Sequence, residues 1–502
     1  MKQTIETKLK LFSPVILAAV IILCYLLTEG LKLNEVLLLH ESAHLINVLM
    51  GVLIIIGLLV FHCRVRKTDQ TEELIRLILF AGLVMRIGYM LYTDAYTRPH
   101  DISGGHDSYI LQIIHNARLP QDNHGQFYQQ PVYYVISAIV SSIVNAILGT
   151  SADNYALVNA AKIVSCFASC SVLLMTPKIC KELDLNRRAQ PIILAVTAFL
   201  PEFYLLAGRV GPDSLSIYFM MLALLLTIRW FKNQTFPVTI QLAVVYGLAI
   251  STKISCAVFA IFTAVLMLIR LVQAIKQKKA APMLAKLGVF GCISLPLGMW
   301  YCIRNLVRFD QALNYVYPIP ITSDLYCGDH SIASRFLWFD LANLKANQYA
   351  SPWNDYNYPM YLVKSSVFGE FKFGIPGWVS YGLVLVNFAL ILISLLAMIY
   401  VVVCCTHAKP MLRFGIPALW MFLYGFSVNF NINYPFGCTM DFRYIVPTAI
   451  FGGLCLSVAY NNSLERYQSK LESLAAKTVR CVIPCLTAVF SALSVYMYCV
   501  IR

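Results

Sequence analysis

Residues 131–149 read PVYYVISAIVSSIVNAILG, and the membrane side of every later loop depends on whether this stretch crosses or lies flat. It is nearly as long and apolar as a span, which needs about 20 residues. If it crossed, the loop KICKELDLNRR (178–188), with Lys178, Lys181, Arg187 and Arg188, would fall outside. If it lies in the interface as an amphipathic or re-entrant helix, that loop turns to the cytoplasm. So do RWFK near 230, RLVQAIKQKK (270–279), HAKPMLR (407–413) and the end of LERYQSKLESLAAKTVR. Lysine and arginine collect on cytoplasmic loops, so the interfacial reading is the one the charges favour.

Spans then fall near 12–29, 45–62, 74–92, 155–175, 190–207, 214–231, 237–252, 254–272, 284–303, 381–404, 411–429, 442–460 and 481–500. The expectation is an all-α polytopic membrane protein of about 13 transmembrane helices, N-terminus inside and C-terminus outside. Composition agrees: the 502 residues are 59% hydrophobic and only 13% charged, where soluble domains carry about a quarter charged. The net charge of +14 is accounted for by the loops, so no nucleic-acid partner is expected. The N-terminal apolar run lacks a small-residue cleavage site and reads as a first span. The sixteen cysteines include no CxxC pair and mostly sit in or beside apolar runs, as small hydrophobes. A bridge between Cys327 and Cys438 is left open.

The organisation expected is a two-span N-terminal extension (1–73), a transmembrane module (74–303) with a first exoplasmic loop (93–154), a second exoplasmic loop (304–380), and C-terminal helices (381–502). The first loop carries RPHDISGGHDSYILQIIHNARLPQDNHGQFYQQPVYY (98–134), a density of polar groups that a bare connection does not need. Asp101 either caps a helix or does chemistry. After His106, apolar Tyr109, Ile110, Ile113 and Ile114 recur at helical spacing, which predicts an amphipathic helix along the membrane face. Asp213, with Arg209 four residues earlier, sits at a span mouth; it too reads as a cap or as a site residue. Lys253, Arg304 and Arg443 are cations on the side that positive charge normally avoids, and such groups suit phosphate. Asp441 is a structural alternative as partner of Arg443. His40 and His44 complete an HExxH pattern, HESAH, without an evident third ligand.

In this order, these pieces resemble the membrane glycosyltransferases of the GT-C fold, in particular the protein O-mannosyltransferase and lipid A aminoarabinose transferase group. The resemblance rests on Asp101, His106, Tyr109, Ile110, Leu119 and Pro120; on FYQQPVYY (127–134), with Gln130 where the family shows a first proline; on Arg209 and Asp213; and on Thr252-Lys253, Trp300, Arg304-Asn305 and Arg443-Tyr444. It covers about residues 74–460. It implies transfer of a sugar from a polyprenyl-phosphate carrier to a glycan, lipid or protein acceptor on the exoplasmic face, with exoplasmic juxtamembrane helices after the first loop. It implies Asp101 as general base, with Asp107 as the alternative because Asp101 is followed by Ile102 rather than a second acid. Asp213 is the further catalytic candidate. Arg209, Lys253, Arg304 and Arg443 would hold the donor phosphate, and His106, Tyr109 and Tyr128 would contact acceptor or sugar. No cofactor is implied with certainty and a divalent metal is left open. A bacterial cytoplasmic membrane is the expected location. The alternatives are a flippase or transporter of lipid-linked glycans, pointing to Arg86 and Lys162 inside spans, and an intramembrane metalloprotease using HESAH.

Overall fold

A computed structural model describes residues 2–32, 42–66, 68–98, 101–344, 356–468 and 474–501. Helices dominate, as they must where lipid offers the backbone no hydrogen-bond partner. In chain order they are α1 (Lys2–Gly30), α2 (Ser42–Val65), α3 (Gln70–Tyr92), α4 (Asp107–Asn116), α5 (Val132–Leu148), α6 (Asn154–Ala160), α7 (Lys162–Glu182), α8 (Gln190–Phe199), α9 (Pro201–Ala207) and α10 (Asp213–Lys232). Then follow α11 (Phe236–Ile250), α12 (Ala257–Lys276), α13 (Ala280–Phe309), α14 (Tyr358–Phe368), α15 (Gly377–Cys404), α16 (Ile416–Asn433), α17 (Pro447–Gln468) and α18 (Leu474–Val500). Among the described residues there is no strand, only an isolated antiparallel bridge between Tyr326 and Phe436.

The chain is a multi-pass integral membrane protein. Nine of the described helices are long and apolar enough to cross a membrane, or eleven if two bent pairs each make one span; Pro14–Gly30, Val132–Leu148 and Phe236–Ile250 are shorter apolar helices. Each of the thirteen expected segments falls on a helix of these groups, two of them, in α1 and α11, on the shorter kind. Length therefore does not separate α5 from a span. Its tethers do. Val132 N–H donates to Ser251 O at 3.1 Å, between α11 and α12. Just past its other end, Ala95 N–H donates to Asn159 Oδ1 at 3.2 Å and Lys162 Nζ donates to Thr93 O, at the end of α3. Those anchors lie at one end of the bundle. A crossing α5 would end about 25 Å from that end, yet Asn145 Nδ2 in its last turn donates to Ala156 O at 3.3 Å, only about 9 Å along the helix from Lys162. So α5 lies across the bundle end. It turns Ile136, Ile139, Ile143 and Ile147 outward and buries Tyr133, Tyr134, Ser137 and Ser141.

The opposite end is stitched by ion pairs among the basic loops. Lys409 pairs with Asp184, Arg187 pairs with Glu72, and Arg229 Nε lies 2.8 Å from Glu182 Oε1. The loops at 178–188, 230 and 407–413 therefore share one face.

One break in the bundle shapes the other end. Pro201 has no N–H for Thr197 O, and α8 and α9 meet at 48°. The carbonyls released there are satisfied from neighbouring helices: Arg86 donates to Thr197 O at 2.5 Å and to Ala198 O at 3.0 Å, and Ser494 Oγ donates to Phe199 O. Arg86, fully buried, is thus tied to the break, and Lys162 to the end of α3. Both basic groups are thus engaged by backbone carbonyls inside the bundle.

Candidate active site

The first loop folds back on itself through its glycines. Asp101 sits in the left-handed region (φ 48°) and is exposed. Gly104 (φ +68°) and Gly125 (φ +50°) let the 101–106 turn and the 125–128 turn touch; a Cβ at Gly125 would stand 2.5 Å from Gly104 O. This approach buries His106. Its Nδ1 lies 2.8 Å from Tyr134 OH. Tyr134 stacks on Tyr109 with centroids 3.9 Å apart, Tyr109 OH donates to Tyr301 OH at 2.8 Å, and Tyr301 OH donates to Phe127 O at 2.7 Å. A polar chain therefore fixes α4 and α5 against α13.

Asp101 makes no side-chain cap bond, so the capping alternative for it does not hold. Asp107 does that work instead. Its Oδ1 accepts from Ser108 N–H at 2.5 Å and from Gly105 N–H at 3.2 Å, and its Oδ2 accepts from Tyr96 OH at 3.4 Å.

Four other elements deliver charge to the same place. Asp213 opens α10 and is ion-paired with Lys253, both only part-exposed. Lys253 Nζ also stands 4.6 Å from the Tyr444 ring centre. Arg443 lies 3.4 Å from Asp441, the structural pair anticipated in sequence, and donates to Tyr444 OH at 3.2 Å. Arg209 pairs with Glu202 at 3.1 Å rather than with Asp213, and lies 4.8 Å from the Phe371 ring centre. Asp101, Asp213, Arg443 and Lys253 all act electrostatically on His106. Burial holds that imidazole at about 4, against the upward pull of Asp101 and Asp213, so it is neutral at physiological pH. A small recess, partly open to solvent, is lined by His106, Leu206, Arg209, Val210, Gly211, Asp213 and Ser214.

Arg304 stands elsewhere. It donates to Pro120 O and to Asn305 Oδ1 (2.8 Å), while Arg308 donates to Gln121 at 2.7 Å; together they pin the first loop to α13. Tyr128 packs edge-on to Tyr315 of the second loop at 5.3 Å. Its phenol is pushed up to about 12 by burial and by Asp101.

Two buried carboxylates of this region were not singled out in sequence: Glu202 and Glu370. Glu202 lies inside an apolar span and carried the signal that such residues always carry. Glu370 had none; it is brought in by the turn after α14, where Tyr361 OH donates to it at 2.6 Å. Burial raises the Glu370 carboxyl above its usual range, opposed by Arg443.

Among the described residues no three His, Cys, Asp or Glu side chains group to hold a metal ion. His40 and Glu41 of HESAH lie outside the described residues. Cys327 and Cys438 are both free thiols.

No family model and no curated protein matches this chain. Among solved structures it is similar to ArnT from Cupriavidus metallidurans bound to undecaprenyl phosphate, at 10% identity and a TM-score of 0.37, over 77% of this chain and 78% of that one.

Proposed function

We propose that this protein is a GT-C-type glycosyltransferase that moves a sugar from a polyprenyl-phosphate carrier to an acceptor at the exoplasmic face of a membrane, a bacterial cytoplasmic membrane being the expected one. The observation that carries the reading is the convergence of Asp101, Asp213, Lys253 and Arg443 around His106 at one bundle end. Four separate stretches of the chain supply these groups, and acids facing cations is the arrangement that glycosyl transfer from phosphate requires.

The chemistry balances on this chain's residues. The anomeric C–O bond to phosphate breaks and its electron pair leaves with the phosphate oxygen. A new bond forms from the anomeric carbon to the acceptor oxygen or nitrogen. The acceptor's proton passes to Asp101, exposed and without a capping duty; Asp107 is held by the start of α4. Lys253 and Arg443 stabilise the charge on the departing phosphate. Asp213 holds Lys253 in place until the phosphate arrives, and Arg209, held by Glu202, flanks the donor. Arg304 acts on the first loop's position rather than on phosphate.

The test is transfer from a radiolabelled polyprenyl-phosphate sugar in proteoliposomes. Asp101→Asn should lose transfer by at least a hundredfold, the scale of a general base, and still bind polyprenyl phosphate. His40→Ala should transfer normally. The opposite pattern would return HESAH to consideration.

A further inference from the structure

Ahead of α14 the second loop carries a stretch, 331–342, whose polarity runs opposite to that of a loop standing in water. Leu337 is 83% exposed and Trp338 65%, and Ile332 and Leu341 are exposed with them. The only cation of the stretch, Arg335, is buried. Its Nη2 donates to Asn431 Oδ1 at 2.6 Å and to Asn431 O at 2.8 Å. The backbone around the apolar side chains is paired from within. Trp338 N–H donates to Ala333 O at 3.0 Å, and Asn357 Nδ2 donates to Ser334 O at 3.0 Å and to Trp338 O at 2.6 Å. Lipid demands this accounting because it offers the backbone no partner; water does not.

Two spans fix the depth of the stretch. Phe339 stacks on Phe388 of α15 with ring centres 4.7 Å apart. Phe336 packs on Tyr358 at 5.2 Å, and Tyr358 OH donates to Ser427 Oγ of α16 at 2.6 Å. Phe388 lies about 24 Å along α15 from Cys404, and Ser427 about 24 Å from Met411, where the span of α16 begins. Cys404 and Met411 flank the basic loop 407–413, so both distances are measured from the basic-loop end of the bundle. A hydrocarbon layer is about 30 Å thick, which puts the stretch inside its far edge.

We propose that this stretch is a lip inserted into the lipid leaflet on the active-site side, with Leu337, Trp338 and Leu341 among the acyl chains just below the headgroups. The occupant of the apolar surface is lipid because the surface continues one that already faces lipid. Leu385 and Leu392, exposed on α15, lie one turn to either side of Phe388 on the same helix face. Tryptophan is the side chain that suits this boundary. The lip is also joined to the site. Asn357 Oδ1 caps α14 through Met360 N–H at 3.2 Å, and Ser365 Oγ further along α14 accepts from Phe442 N–H at 3.0 Å, next to Arg443. One short helix therefore links the contact with the bilayer to the segment that carries a site cation. The inference concerns how the second loop is seated and does not depend on the transfer chemistry.

The test uses the full-length protein in nanodiscs of phosphatidylcholine, either plain or brominated on the upper acyl carbons. The emission that disappears on Trp338→Phe isolates Trp338 from the other tryptophans. That share should lose most of its intensity in the brominated discs and almost none to iodide in the aqueous phase. Leu337→Trp combined with Trp338→Phe moves the reporter by one residue and should behave alike, which gives a second readout if one variant folds poorly. Trp338→Asp should lower the thermal midpoint in nanodiscs, since the charge would enter hydrocarbon. Quenching by iodide with no effect of bromine would place the lip in water and overturn the inference. Protection from both quenchers would mean that protein covers it, a second copy included, and would overturn it too, as would an unshifted midpoint for Trp338→Asp.

Discussion

Replacing Arg86 by methionine should damage the bundle rather than the chemistry. Four hydrogen bonds leave the guanidinium: to Gly82 O (2.9 Å), Ala198 O (3.0 Å), Thr197 O (2.5 Å) and Ser169 Oγ (3.1 Å). Gly82 O belongs to the regular part of α3, and Ser169 Oγ keeps its own bond to Phe203 O at 2.6 Å. Thr197 O loses its partner outright, because residue 201 is proline. Ala198 O is left at the same break. An orphaned buried carbonyl costs about 1–3 kcal/mol, so two cost about 2–6 kcal/mol. Removing a buried charge, which is expensive to desolvate, returns part of this. A net loss of about 2–4 kcal/mol is expected, read as a clear fall in the midpoint of thermal unfolding in detergent. The surviving folded fraction should keep its affinity for polyprenyl phosphate. A variant with unchanged thermal stability but no transfer would refute the assignment of Arg86 to the helix break and reopen a role for it in moving substrate through the membrane.

Gly369 (φ +58°) lies under Arg209, and a Cβ there would run into Nη2. Gly369→Ala should therefore cost about 1–3 kcal/mol in backbone strain and displace Arg209 from Glu202; an unaltered KM for the donor lipid would contradict this placement. His106 makes the protein acid-sensitive. Its folded value of about 4 lies below the unfolded 6.5, so its contribution is whole above pH 6.5 and is lost as pH falls through about 4. The span of roughly 2.5 units corresponds to about 3 kcal/mol. His106→Gln should flatten stability against pH across that window, as thermal melts from pH 4 to 7 would show.

The membrane architecture was legible because it is written in composition and charge placement. Runs of apolar residues mark spans whatever they pack against, and the basic loops at 178–188 and 407–413 do meet through Lys409 and Asp184. Charge placement alone argues for the flat lie of α5, and the bond from Val132 to Ser251 agrees with it. The site was legible only in part. Asp101, Asp213, Lys253 and Arg443 stood out as polar residues at span mouths, a local signal. Their partners did not. The pairing of Arg209 with Glu202 rather than Asp213 follows from the Pro201 bend, and no spacing rule encodes a three-dimensional bend. Asp107 and Asp101 looked interchangeable in sequence; the left-handed turn at Asp101 and the capping bonds of Asp107 separate them. Arg304 read as a phosphate ligand because it is a cation at a span end, yet helix rotation aims it at the Pro120 carbonyl.

The cations at this end are held by carboxylates, and that pairing bears on turnover. Arg209 has Glu202, Arg443 has Asp441, and Lys253 has Asp213. A cavity that bound phosphate with bare cations would bind it in the donor and in the released carrier alike, and uniform binding of this kind does not speed the chemical step. With Asp213 beside it, Lys253 offers less net charge to a phosphate, so the product can leave. Two unit charges 4 Å apart interact by about 4 kcal/mol at an effective dielectric of 20; the pair is part-exposed, which screens it to about a third of that, or about tenfold in affinity. Asp213→Asn should accordingly bind bare polyprenyl phosphate about tenfold more tightly and turn over more slowly in steady state, with a burst of product in the first cycle marking slow release. Asp213→Asn combined with Lys253→Ala should abolish the tightening. Weaker binding by Asp213→Asn alone would show instead that the carboxylate is needed to hold Lys253 in place, and would refute the release argument.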